Sequence, residues 1–329
     1  MRRREFIALI SGAAVAWPLA ARAQQPERMR RVGFILGASP PSQFGLGFLG
    51  GLAQGMRELG YVEGKDFLIE WRTALGDYSR FPAIAAELVR LKVDVFVLGT
   101  TAALPAVQQA TSTIPIVMTN AADPVGQGFV ASLAQPGGNI TGLASSADDS
   151  APKQLELLAT VIPSLRRLGL LTNPNTSLAS PVVTSIQVAA QKAGIRIVST
   201  QAGNLQEIEN AFVTLAKERA QAVVVITDAF YFAHRQQLAE LALKNGLASL
   251  VPLREYVETG GLMSYGEALG EFYRRTAYYV DKIFKGVKPA DLPIEQPRKF
   301  NLVINRKTAD ALGITIPAIV YMFADEVIE

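Results

Sequence analysis

Val93-Asp94-Val95-Phe96-Val97-Leu98-Gly99-Thr100-Thr101 is an apolar, β-branched run that stops at a glycine and two hydroxyl side chains. A short apolar run bounded by turn residues reads as a strand buried on both faces of a parallel sheet. The residues just past such a strand stand at its carboxyl end, where open α/β sheets place their ligands. Outward from it, comparable runs lie at 32–36, 67–71 and 114–119, with helical periods between them. Leu52, Met56 and Leu59 recur at i, i+4 and i+7 before Gly60, and Pro82 suits the first turn of a helix carrying Ile84, Leu88 and Leu91. Past Pro136-Gly137-Gly138-Asn139 the rhythm restarts, with strands at 168–171, 195–199, 223–227 and 247–251 and helices near 182–193, 205–217 and 233–244. Two successive βαβ sets predict an α/β protein of two doubly wound, Rossmann-like lobes with right-handed crossovers.

The chain of 329 residues is long enough for two cores. Beyond 251 come residues 261–266, a long helix to about 285, a Pro-rich stretch at 288–297, a strand at 302–305 and a last helical piece. These are too few for a third domain, so they are expected to return and complete the lobes. The chain would then cross between the lobes about three times, which is a hinge geometry. The expected division is a leader at 1–23, a linker at 24–31, one lobe from 32–142 plus 266–297, and a second from 143–265 plus 298–329.

The leader reads from Arg2, Arg3 and Arg4 through an apolar run at 6–19 to Ala21-Arg22-Ala23, an A-x-A cleavage site that would leave Gln24 as the mature N-terminus. The run is too short for a permanent membrane helix, which needs about 20 residues. Arg3-Arg4-Glu5-Phe6-Ile7 fits a twin-arginine signal as well as an ordinary export leader. Net charge comes from this segment: it carries four arginines against Glu5 alone, and the remaining basic and acidic side chains balance. A neutral body lacks the electrostatic footprint of a nucleic-acid binder. Cysteine is absent, which excludes disulfides, a thiol nucleophile and the lipid-carrying Cys of a lipoprotein. The expected location is the periplasm, with no membrane insertion.

Catalytic motifs fail on inspection. Gly45-Leu46-Gly47-Phe48-Leu49-Gly50 has the G-x-G-x-x-G spacing, with Glu70 downstream. A dinucleotide fingerprint needs its first glycine directly off the strand. Here residues 38–44 intervene, so the glycines read as close helix packing and no cofactor is expected. His234 is the only histidine, which leaves a Ser-His-Asp triad or a two-His metal site poorly supplied. Ser264, in Gly261-Leu262-Met263-Ser264-Tyr265-Gly266, lacks the first glycine of a nucleophile elbow. No enzymatic role and no metal are expected.

Polar residues gather instead after the strands: Ser39 and Ser42, Thr100-Thr101, Asn120 and Asp123 in the first half; Asn173, Asn175, Thr176, Thr227, Asp228 and Tyr265 in the second. Any one could be a helix cap. Their joint arrival at two facing lobe edges points to a binding cleft. Ser39, Thr100, Thr101, Asp123, Asn173, Asp228 and Tyr265 form the candidate ligand-binding set. The Thr100-Thr101 hydroxyls and backbone N–H groups suit a carboxylate, Asp228 an ammonium, and Tyr265, Phe230 and Tyr231 an aromatic portion. Together they describe an amino acid or a similar zwitterion.

Several stretches resemble the periplasmic binding proteins of ABC importers, in particular the tryptophan-type, aromatic-amino-acid binders. They are Glu58-Leu59-Gly60-Tyr61-Val62-Glu63-Gly64-Lys65, Asp123-Pro124-Val125, Pro136-Gly137-Gly138-Asn139-Ile140-Thr141-Gly142, Gly260-Gly261-Leu262-Met263-Ser264-Tyr265-Gly266 and Leu302-Val303-Ile304-Asn305-Arg306-Lys307-Thr308-Ala309. Leu312-Gly313-Ile314-Thr315-Ile316-Pro317 comes next. The resemblance implies a type I periplasmic-binding-protein fold with hinge crossings near 139–144, 261–266 and 296–301. It also implies a monomer that captures a small molecule for a membrane permease and its ATPase subunits, without catalysis. A ligand-presenting sensor subunit for a membrane receptor is the alternative. Ser39, Thr100, Thr101, Asp123 and Asp228 are the positions it carries over. Thr172-Asn173-Pro174-Asn175 and Ala229-Phe230-Tyr231 depart from the tryptophan-binding pattern.

Overall fold

The computed structural model describes residues 29–37, 44–174, 180–226, 229–296 and 299–329. The expected leader therefore lies outside the described residues. The first lobe takes β1 (Arg30–Leu36), α1 (Phe44–Glu58), β2 (Phe67–Thr73), α2 (Phe81–Arg90), β3 (Val95–Leu98), α3 (Leu104–Ala110), β4 (Ile116–Ala121) and β5 (Ile140–Ala144). Its five strands stand in the order β2-β1-β3-β4-β5, all parallel. β3 is buried along its whole length, which is why it reads as an unbroken apolar run. β1 begins at Arg30, two residues before the apolar pattern does. The Arg31 carbonyl accepts the Asp94 N–H, the Asp94 carboxylate accepts the Arg31 N–H, and the Arg31 guanidinium lies 3.1 Å from Glu70.

The second lobe continues with α4 (Ala147–Val161), β6 (Arg167–Thr172), α5 (Ser180–Lys192), β7 (Arg196–Gln201), α6 (Leu205–Lys217), β8 (Ala222–Val225), α7 (Ala229–Ala233), α8 (Arg235–Lys244), β9 (Ala248–Val251), α9 (Arg254–Glu258) and β10 (Met263–Glu267). The chain then returns to the first lobe as α10 (Leu269–Phe284), and re-enters the second as β11 (Phe300–Asn305), α11 (Arg306–Ala311), α12 (Ala318–Phe323) and β12 (Glu326–Ile328). The seven-stranded sheet runs β12-β11-β10-β9-β8-β6-β7. β8 and β9, in its middle, are wholly buried, whereas edge strand β7 alternates between exposed and buried residues. Asn204 caps α6 by accepting the Glu207 N–H, and Glu207 accepts the Gly203 N–H.

Three details depart from the sequence reading. The second sheet is not wholly parallel: β10 and β11 pair antiparallel, Met263 with Ile304 through Glu267 with Phe300. β10 carries the chain out of the lobe and β11 brings it back, so the two must run in opposite directions. The last helical piece is two short helices and a terminal strand, β12, which pairs parallel with β11. The close helix packing that is described falls on two glycines beyond the motif. A Cβ on Gly51 would lie 2.9 Å from the Gly270 carbonyl, and one on Gly55 would lie 2.5 Å from the Arg274 carbonyl and 2.7 Å from Ala277 Cβ. Gly50 has nothing within 4 Å. Thus Gly51 and Gly55, and not Gly50, make the close approach of α1 to α10, and the G-x-G-x-x-G lies in a helix rather than in a phosphate-binding turn.

Candidate functional site

At the first lobe's carboxyl edge, β3 ends at Leu98 and turns through Gly99. A side chain there would meet Leu36, the Tyr273 hydroxyl and Phe34 at 2.8–3.1 Å, so glycine lets the chain pass without displacing them. Thr100 is extended (φ −151°) at the start of a 3-10 turn, and its side chain makes no capping bond. Thr101 is buried and donates its hydroxyl to the Asn120 carbonyl on neighbouring β4, at 3.3 Å. Thr119 donates to the Leu98 carbonyl at 2.8 Å. Beneath them, burial pushes the Tyr273 hydroxyl up to about 12, opposed by its hydrogen bond with Thr119. The Asn120 side-chain oxygen is buried with no hydrogen-bond partner. Asp123 is exposed, has a left-handed backbone (φ 38°) and accepts the Gly126 N–H at 2.8 Å. Its carboxylate is engaged in shaping its own turn.

In the second lobe Asn173 is buried where β6 ends. Tyr265 stacks on Phe300 with ring centroids 5.7 Å apart, and its carbonyl accepts from buried Gln154 at 2.9 Å. It is half-buried and packs against the lobe's own core. Tyr231 is buried, its hydroxyl donating to the Ala202 carbonyl at 2.8 Å, so it does not offer the stacking surface read from the sequence. Phe230 is half-buried against the His234 ring, whose Nδ1 lies 2.8 Å from the Phe230 carbonyl. Ser39 and Asp228 lie outside the described residues. The structure therefore brings Thr100, Thr101 and Asn120 together on adjacent strands, and places Asn173 at the edge of the other sheet.

Sequence reasoning anticipated the hinge crossings but not the residues that meet at the lobe junction. Ser145 and Ser146 come directly after β5, and both meet the Glu267 carboxylate at the end of β10. The only signal was position: each stands one or two residues past a strand. Beside this junction a groove of about 490 Å³ opens between the lobes. Gly51, Gln54 and Arg274 line its first-lobe wall, and Pro252, Glu255 and Asn301 its second-lobe wall. Burial raises the Glu255 carboxyl above the usual carboxylate range, and the Asn301 side-chain oxygen is buried without a partner. The residues so arranged are hydroxyls, amides and carboxylates at strand ends, a set that binds by hydrogen bonding.

A family model described as "ABC transporter substrate binding protein" matches residues 46–328. This chain belongs to that family. As an ABC substrate-binding protein it is 25% identical over 279 residues to a tyrosine-binding protein of Clostridioides difficile (strain R20291), covering 84% of this chain and 80% of that one. Its structure superposes on a conserved domain protein of Vibrio cholerae with a TM-score of 0.85 at 29% identity, over 91% of this chain and all of that one. It also matches an ABC domain in complex with L-Trp from Streptococcus pneumonia, with a TM-score of 0.81 at 28% identity, over 90% of this chain and all of that one. The two lobes have the type I periplasmic-binding-protein fold. Members of this family are binding proteins that serve ABC transporters. Among the described residues of this substrate-binding protein, no helix is long and apolar enough to cross a membrane.

Proposed function

We propose that this ABC substrate-binding protein captures an amino acid or a closely related zwitterion between its lobes and delivers it to a membrane permease. The observation that carries the reading is Thr100. Its side chain stands at the carboxyl end of a buried parallel strand and serves no helix cap, at the kind of position where open α/β sheets hold ligands. The tyrosine and tryptophan named for two relatives favour an aromatic amino acid. Thr100, the backbone N–H of Thr101 and Ser39 would receive the carboxylate and Asp228 the ammonium, with Asn173 closing from the second lobe. Asp123 and Tyr265 would shape the walls.

The test is titration calorimetry of the mature protein with L-tryptophan, L-tyrosine and L-leucine, beside solution scattering. Saturable binding of at least one, with a smaller radius of gyration in the bound form, is the expected result. No saturable binding of any amino acid would overturn the reading.

The protein works outside the cytoplasm in this proposal, as a monomer released from its leader. Mass spectrometry of the periplasmic protein is expected to find an N-terminus at or near Gln24. Retention of Met1 would contradict export.

A further inference from the structure

Three passages join the lobes. The first runs from β5 into α4, the second from β10 into α10, and the third from residues beside β5 into β11. Each is anchored on both sides. Ser145 donates its N–H to the Ala121 carbonyl in the first lobe, and Ser146 is the N-cap of α4 in the second. Glu295 pairs with β5: the Ala144 N–H donates to its carbonyl, and its own N–H to the Gly142 carbonyl. Five residues later the chain is in β11.

One residue touches all three passages. Glu267 ends β10, and its backbone leads through Ala268, the N-cap of α10, into the first lobe. Its backbone pairs with Phe300, the first residue of β11 and the end of the third passage. Its carboxylate accepts from the Ser145 hydroxyl at 3.1 Å and from the Ser146 N–H, which form the first passage. Ser145 and Ser146 are both buried and Glu267 is half-buried, so these bonds are partly shielded from water. A carboxylate accepting an N–H at the start of a 15-residue helix is a charge-assisted bond, favoured also by the helix dipole.

We propose that Glu267 is the positioning residue of the hinge: it ties the three passages into one unit and thereby sets the angle from which the lobes close. Neither the Ser146 side chain nor the Ala268 side chain caps the helix after it. A carboxylate from another passage thus meets the backbone N–H at the N-cap of α4. α4 and β10 both belong to the second lobe, so this bond holds the first two passages together at that lobe's end of the hinge and fixes the point from which they bend. The inference rests on reading the passages as a hinge and not on which solute is bound.

The experiment uses the full mature chain without ligand, as wild type, Glu267→Ala and Glu267→Gln. The readouts are amide hydrogen exchange and scattering. In Glu267→Ala the Ser146 amide and the first turn of α4 are expected to exchange roughly tenfold faster. β8 and β9 should keep wild-type protection, and the ligand-free scattering profile should shift. In Glu267→Gln the amide oxygen still accepts, so protection at Ser146 should largely return. Unchanged exchange at Ser146 in Glu267→Ala, or loss of protection across β8 and β9 as well, would overturn the assignment. Failure of every amino-acid titration would count against the proposed solute and leave these ligand-free results standing.

Discussion

Asp228→Ala is expected to weaken solute binding by roughly 30-fold or more, from a loss of about 2–5 kcal/mol at about 1.4 kcal/mol per decade. A carboxylate that meets an ammonium in a closing cleft loses its water on closure. Truncating it leaves the partner charge buried and unpaired, which makes the loss larger than the worth of the pair itself. Asp228 stands three residues past β8, whose residues are all buried between β6 and β9. Thr100→Ala removes one neutral donor and should cost less, about 1–3 kcal/mol of binding. Stability without ligand separates binding from capping. Thr100 makes no cap bond, so Thr100→Ala should leave the ligand-free melting temperature unchanged. Thr101 donates to Asn120, so Thr101→Ala should lower ligand-free stability by about 0.5–1.5 kcal/mol whatever it does to affinity. Titration calorimetry beside ligand-free melts decides the matter. Asp228→Ala with intact affinity would sink the zwitterion assignment.

The second large effect is on folding. Gly55→Ala should destabilise the protein by about 1–3 kcal/mol in urea unfolding, the usual cost of forcing atoms into a packed interface. An exposed helix interior would gain about 1 kcal/mol from the same change, because alanine restricts the unfolded chain and glycine does not. At Gly55 that gain is outweighed. The new methyl would sit 2.5 Å from a backbone carbonyl of α10, which cannot rotate away as a side chain could. Gly50→Ala is the control: it lies on the same helix with open space around it, and should gain about 0.5–1 kcal/mol. If both substitutions behave alike, the close approach of α1 to α10 is not what the glycines serve.

Much of the architecture was legible because buried parallel strands announce themselves. β3, β8 and β9 are buried at every position, so their apolar runs stand out against the helical periods. α6 was read with its observed bounds, since Asn204 marks its start and its apolar stripe is regular. β12 was not legible, because three residues beside polar neighbours carry no pattern of their own and take their conformation from β11. The antiparallel turn of β10 against β11 is a property of the chain's path and not of either segment. The site was read by position, and position alone could not divide its members. Thr100, Thr101 and Asp123 look alike in sequence as polar residues after strands. Only the hydrogen bonds show that Thr101 and Asp123 serve their own lobe while Thr100 does not serve as a cap. Glu267 was invisible for a related reason: its partners lie more than a hundred residues away.

The pairing of α1 with α10 also governs the order in which the molecule can be assembled. Arg274 reaches back 216 residues to Glu58, and Asp281 reaches back 220 residues to Tyr61. All five strands of the first sheet leave the ribosome long before the helix that covers them. Until Leu269–Phe284 emerges, the face of α1 carrying Gly51 and Gly55 has nothing to lie against. The first lobe to be synthesised therefore waits on the second for its completion. Such distant contacts make folding slow, and the first lobe passes through an extended window of incompleteness.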